Sequence, residues 1–178
     1  MTKQRQIFLH GPLGQRHLRE VLGSQLVALM LRPEPIWLVS PWISDFSLLD
    51  NRAGLWDAVE PDWGSREISF LEMLACITNA GCELNLVTRD EPMNRKFISQ
   101  LKHRLAPDAV LRHSFDEQVH TKGLLSARFF LKGSMNFTFS GTNRNDEHLF
   151  LITDPDIISE ARIEFNGQYA FGQEETVD

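Results

Sequence analysis

Two strand-like runs, each followed by a helix-periodic segment, constrain this chain more than any other feature. Residues 36–43 read IWLVSPWI, a short apolar run rich in β-formers that predicts a buried strand. Residues 82–89, CELNLVTR, predict a second strand with Leu84, Leu86 and Thr88 on one face. Between them Ser69 stands three residues before Glu72, a capping-box spacing that opens a helix through Leu71, Met73, Leu74 and Ile77, with Gly81 as its C′ residue. After the second run, Asp90 and Pro92 start another helix, through Phe97, Ile98, Leu101 and Leu105, that stops before Pro107. Ala109–His113 is a third strand. Two β–α units in succession imply a sheet with parallel strands and covering helices.

The flanks complete this frame. Leu18, Val21, Leu22, Leu26, Leu29 and Met30 recur at three- and four-residue steps, so residues 16–31 predict an amphipathic helix, stopped by Arg32-Pro33-Glu34-Pro35. Residues 44–66 keep no sustained period and read as a long, partly helical connection. From Val119 the texture changes: VHTKGLL, ARFFLKG and HLFLITD are close-spaced strand-like runs suited to antiparallel neighbours. Asp154-Pro155 caps a last helix through Ile157, Ile158, Ala161 and Phe165. The expected fold is one α/β domain over residues 1–178, with a mixed, twisted sheet flanked by helices on both faces. It comprises an N-terminal helical segment (1–35), a core (36–170) and a frayed tail (171–178).

Composition narrows the function classes. With 178 residues, 42% apolar and 24% charged, the chain buries a core without staples and is not disordered. No apolar run reaches the ~18–20 residues of a membrane span, and residues 1–12 show no secretory signal. Two cysteines, Cys76 and Cys82, exclude a disulfide scaffold and a cysteine-rich zinc site and fit a reducing cytoplasm. The net charge of −6 argues against a generic DNA-coating protein, but it is uneven. Residues 85–148 hold 10 Lys+Arg against 7 Asp+Glu and four of the six histidines; residues 149–178 hold 1 against 7. The cationic middle suits an anionic substrate.

Three constellations lie in or beside that middle. In a strand, His120 and Lys122 of His120-Thr121-Lys122 project from one face, an imidazole and an ammonium about 6–7 Å apart. Such a pair fits a phosphate: the lysine neutralises non-bridging oxygens and the histidine attacks phosphorus or moves a proton. Gly133-Ser134-Met135-Asn136-Phe137-Thr138 lets glycine turn the chain out of a strand. Ser134 and Asn136 offer short hydrogen-bonding side chains, and Met135, Phe137 and Phe139 anchor the loop. Glu147 opens the strand EHLFLIT, and a carboxylate there accepts the Nδ1 proton of a histidine and fixes its tautomer. Each is weak alone, since a solvated strand face, an ordinary turn and an edge acid account for them equally well.

In combination, H-T-K, G-S-M-N-F-T and an acid thirteen residues after the serine resemble the signature of the phospholipase D superfamily, H-x-K-x4-D and then G-S-x-N, over roughly residues 36–170. The single motif copy is similar to the small bacterial endonuclease branch. The resemblance implies a homodimer in which two protomers share one cleft, with His120 of one as nucleophile and its mate as general acid. Lys122 and Asn136 match the phosphate binders, Ser134 the serine beside histidine and phosphate, and Glu147 the acid that orients the histidine. It further implies a two-step phosphodiesterase with a phosphohistidine intermediate and neither cofactor nor metal. The family aspartate falls at Ala127, and the spacer to Gly133 is one residue short.

The implied function is a cytoplasmic nuclease acting on DNA or RNA, of the kind found in prokaryotic defence. A weakly active or inactive nucleic-acid-binding scaffold is the alternative. Lipid phosphodiester hydrolysis ranks last, for want of a membrane anchor, an amphipathic basic helix or a second motif copy. Other residues are placed more loosely. Trp37 and Trp42 belong to the core. Trp56 and Trp63 suit either packing or a partner surface. Arg89 reads as a surface residue near the cleft mouth, and Asn143, Arg144 and Asn145 as loop residues within reach of phosphate. His148 follows Glu147 in a strand, faces the other way and is left out of the site.

Overall fold

The computed structural model describes residues 3–143, 147–169 and 171, with only the backbone of Asn143. In chain order the elements are β1 (Gln4–Phe8), α1 (Gly11–Leu31), β2 (Ile36–Val39), β3 (Ser47–Asp50), β4 (Glu67–Ser69), α2 (Phe70–Asn79), β5 (Leu84–Thr88) and α3 (Pro92–Lys102). There follow β6 (Leu111–Phe115), β7 (Gly123–Leu125), β8 (Phe130–Gly133), α4 (Phe139–Asn143), β9 (His148–Ile152) and α5 (Pro155–Gln168). Seven strands form one mixed sheet in the order β1-β9-β8-β7-β2-β5-β6. β2, β5 and β6 run parallel, as the two β–α units require. The other half, from β7 outward to β1, is antiparallel throughout.

Strand alternation sorts the core into two layers. Ile36 and Leu38 of β2, Leu84 and Leu86 of β5, Leu124, Leu131 and Leu149 face the cluster built with α1, α2 and α3. Trp37, Val39, Val87, Leu125, Phe130 and Ile152 face the opposite cluster, closed by Ile158 and Phe165 of α5. Helices thus cover both faces of the sheet. The predicted caps form: Ser69 Oγ accepts the Glu72 amide at 3.2 Å, and an Asp154 carboxylate oxygen accepts the Asp156 amide at 3.0 Å.

Three segments depart from the sequence reading. Residues 4–8 are an edge strand, not part of a helical segment. Only Ile7 of the five is buried, so no alternation marks them. Helix α1 begins at Gly11, five residues early, with Pro12 in its first turn; Leu13, there, is 82% exposed and adds nothing to the apolar period. Residues 44–66 are a long connection whose helical part is short, and they hold a strand that the reading lacked. They contain β3, which pairs with β4, and a 3-10 turn at Pro61–Trp63. One fully buried side chain staples them: Asn51 Nδ2 donates to Asp57 Oδ1 (2.8 Å) and the Gly64 carbonyl (2.9 Å), and its Oδ1 accepts the Trp56 amide (2.8 Å). Trp63 is buried in the core and Trp56 packs against it, on the edge of a cavity of about 680 Å³ between α1 and the β3–β4 pair. Among the described residues no helix is long and apolar enough to cross a membrane.

Candidate active site

The five motif residues, His120, Lys122, Ser134, Asn136 and Glu147, stand next to strand ends on one rim of the sheet. Antiparallel pairing brings the start of β7 beside the ends of β2 and β8, where Gly123 faces both Val39 and Lys132. The start of β9 joins them through the Gly133–Leu149 pair. His120 and Lys122 lie in the extended lead into β7, one element short of the strand expected for them. The ladder nevertheless reaches Lys122, whose carbonyl accepts the Gly133 amide at 3.4 Å. Buried Val119 anchors the lead, while His120 is exposed and Lys122 half-buried.

In the G-S-M-N segment, period-two alternation does the positioning. Met135 and Phe137 are fully buried, so Ser134 and Asn136 are left partly exposed at the rim. Phe139, expected as a third anchor, is instead 46% exposed. Gly133 serves close approach rather than a positive φ: a Cβ there would lie 2.1 Å from the His148 carbonyl oxygen. Gly141 is similar, with a Cβ falling 2.3 Å from the Asn136 carbonyl oxygen, so α4 presses against the loop it follows. Behind the loop, buried Ser40 accepts the Phe137 amide and stands 3.3 Å from Asn136 Oδ1. With Oδ1 turned to Ser40, the Nδ2 donor of Asn136 is left for a ligand.

The polar contacts fall into two groups. In one, Lys122 Nζ donates to the His120 carbonyl at 2.8 Å. Arg89, at the end of β5, donates from Nε to the Val119 carbonyl, and its Nη2 stands 3.2 Å from His120 Nδ1. In the other, Ser134 Oγ donates to Glu147 and accepts the His148 amide at 3.1 Å, with His148 Nδ1 3.4 Å away. Within one chain the imidazole beside the Ser134–Glu147 pair is therefore His148, and the group on His120 Nδ1 is a guanidinium.

Of these residues His148 is absent from the sequence reading of the site, and Arg89 stands in it only as a surface residue near the cleft mouth. His148 was excluded by alternation, but Glu147 precedes β9, and Ser134 Oγ meets both residues because the His148 amide binds it. Arg89 reads as surface because β5 and β7 are not neighbours; the arginine reaches His120 past the end of β2. Asn143 (side chain), Arg144, Asn145 and the tail from residue 172 lie outside the described residues. Ala127 lies on the turn at the far end of β7 from the rim. Its amide donates to Glu34 Oε1 at 3.0 Å, and Glu34 also pairs with Arg128 at 3.0 Å, so Glu34 supports this turn. Among the described residues no three of His, Cys, Asp and Glu are placed to share a metal ion.

A sheet with helices on both faces, carrying H-x-K and G-S-x-N on one rim, defines a phospholipase D-like domain. The family described as the PLD-like domain of cardiolipin synthase matches residues 64–169, more than half of the chain and the whole rim from Arg89 to His148. The chain belongs to this family and so to the phospholipase D superfamily. No curated protein matches the sequence. Among solved structures the chain is similar to NucT from Helicobacter pylori (TM-score 0.60, 15% identity, 94% of this chain and 95% of that one). It is similar also to Nuc from Salmonella typhimurium, a phospholipase D family member (0.58, 12%, 93% of each). The polyphosphate kinase of Porphyromonas gingivalis contains the same fold (0.63, 12%, 99% of this chain and 27% of that one). At these identities the likeness is one of fold.

Proposed function

We propose that this protein is a phosphodiester hydrolase acting on nucleic acid, DNA or RNA, through a phosphohistidine formed in the shared cleft of a homodimer. The observation that carries this reading is the placement on one rim of an imidazole and an ammonium from the lead into β7, His120 and Lys122, and an amide donor from the segment after β8, Asn136. Such a set binds the non-bridging oxygens of a phosphodiester and places a nucleophile beside phosphorus. The likeness in fold to NucT and Nuc, over nearly their full length, supports a single small phospholipase D-like domain, and the cationic middle of the chain supports nucleic acid as its anionic substrate. A place in the cytoplasm and in prokaryotic defence goes with this reading.

The chemistry balances without a redox partner. Nε2 of one His120 attacks phosphorus and forms a P–N bond. The imidazolium of the partner's His120 gives its proton to the leaving oxygen as the P–O bond breaks. Water then attacks phosphorus, the partner's imidazole takes one of its protons, and the P–N bond breaks to release a phosphomonoester and the first histidine. Lys122 and Asn136 from both protomers hold the charge that gathers on the equatorial oxygens. Ser134 and Glu147, which stand beside His148 within one chain, order the rim and favour a cationic imidazole in the shared cleft.

The second reading, a nucleic-acid-binding scaffold with little hydrolysis, draws on the acidic balance and on Ala127. Because Ala127 stands at the far end of β7, the missing aspartate takes no group from the rim, and hydrolysis is preferred. Purified protein is expected to cleave DNA or RNA in EDTA and His120→Ala to be inert. Cleavage that needs a divalent ion contradicts the mechanism, and equal inertness with retained binding selects the scaffold. Light scattering that shows only monomer at micromolar concentration contradicts the shared cleft.

A further inference from the structure

A guanidinium has five donors and no acceptor. Its approach to 3.2 Å from His120 Nδ1 therefore fits only a ring whose Nδ1 is a bare acceptor, with the proton of the neutral imidazole on Nε2. An imidazole in that tautomer has no lone pair on Nε2 and cannot attack phosphorus from it. The contact is a built one. Nε of the same arginine holds the Val119 carbonyl at 3.2 Å, so Arg89 grips backbone and ring together. Its own carbonyl is fixed by Asn94 Nδ2 at 2.9 Å, and Asn94 is fully buried. Arg89 is half-buried and, among the described residues, pairs with no carboxylate, so a full positive charge stands over the ring.

We infer that Arg89 is a phosphate-responsive clamp that holds His120 in its non-nucleophilic tautomer until a phosphodiester enters. A phosphodiester at the rim competes for the guanidinium, which binds phosphate oxygens more strongly than a neutral ring nitrogen. When Arg89 swings to the anion, Nδ1 loses its donor. One proton leaves Nε2 for solvent and one arrives at Nδ1, so the ring stays neutral. Nε2 then presents its lone pair, and Arg89 has become a phosphate ligand. The clamp rests on the phosphodiester reading for its ligand class. It makes Arg89 a positioning residue that keeps an exposed nucleophile quiet without substrate.

Nitrogen-15 NMR of the imidazoles tests this directly, at a pH above the ordinary imidazole value, with His120→Ala used to assign the ring. The free protein is expected to show Nδ1 bare and Nε2 protonated. Saturation with inorganic phosphate is expected to move the balance toward protonated Nδ1. In Arg89→Met the excess of bare Nδ1 falls, without any ligand, to the modest excess of an unrestrained histidine, and phosphate binds about tenfold more weakly. Arg89→Lys, which keeps the charge but not the two-point grip, falls between and serves if the methionine variant does not fold. A protonated Nδ1 in the free protein overturns the inference. So do ring nitrogens that ignore bound phosphate, an absence of phosphate binding, or a variant ring identical to the wild type. A ring that responds in a protein that cleaves nothing keeps the clamp and removes the hydrolase reading. Cleavage in EDTA by a protein whose ring is unresponsive does the reverse.

Discussion

The two halves of the seven-stranded sheet treat their polar side chains in opposite ways. At the rim of the parallel half, Ser40, Thr88 and Asn94 are all fully buried. Their bonds go mainly to backbone: Thr88 Oγ1 donates to the Pro41 carbonyl, and Asn94 serves the Ile43 amide and the carbonyls of Pro41 and Arg89. At the rim of the antiparallel half, His120 is exposed, and Lys122, Ser134, Asn136, Glu147 and His148 are partly so. There Ser134, Glu147 and His148 contact one another. One half is a buttress whose polar groups are spent on holding the chain; the other offers polar groups to solvent and ligand. Stability and chemistry should therefore come apart on mutation, and each prediction below tests that division.

The largest effect belongs to the reactive half. His120→Ala should lower phosphodiester cleavage by about 10³-fold or more, because the nucleophile itself is lost. Its thermal midpoint should not move, because the side chain is exposed. Activity and midpoint measured on one preparation check this, and a lowered midpoint would break the division. Asn94→Leu should do the converse. It orphans the buried Ile43 amide and takes one of two donors from each of the Pro41 and Arg89 carbonyls, so urea unfolding should show a loss of about 2 kcal/mol. Ser69→Ala, which removes the N-cap of α2, should cost about 1 kcal/mol in the same assay and leave cleavage unaltered.

Two smaller effects sharpen the comparison. Restoring the family residue with Ala127→Asp sets a second carboxylate beside Glu34. It should destabilise by about 0.5 kcal/mol without raising the turnover number, since that turn lies away from the rim. His113, on β6, is held below its usual value of 6.5 by burial and, less, by Lys102. Burial disfavours its imidazolium, so below 6.5 the unfolded chain binds more protons than the folded one. Its contribution to stability is complete above that value and is lost as pH falls through the folded-state value. His113→Gln should flatten this slope between neutral and mildly acidic pH, as followed by thermal unfolding.

What the sequence discloses divides along the same line. The parallel half is legible because β2 and β5 are buried on both faces and its helices carry apolar periods between cap residues, as with Ser69, Gly81 and Pro92. The β3–β4 pair is illegible because its order comes from a polar staple, Asn51, to which periodicity is blind. β1 is illegible because a half-covered edge strand needs only one buried apolar side chain. Of the site, residue types and spacing disclose His120, Lys122, Ser134, Asn136 and Glu147 as candidates, and the fold gathers them on one rim. Arg89 is legible only as a surface residue near the cleft mouth and His148 not at all, since their contacts depend on which strand ends adjoin, a property of sheet order rather than of local pattern.

The pairing of β1 with β9 bears on how the protein is made. Gln4 lies opposite Ile152, and the Leu9 amide binds the Glu147 carbonyl, so the first strand of this fold docks on its last and closes only after the segments between them exist. Until then the nascent chain carries an open edge, and the acid expected to orient the imidazole lacks its backbone brace. Competence thus waits for β9, and a chain stopped before residue 147 would lack that strand together with Glu147 and His148.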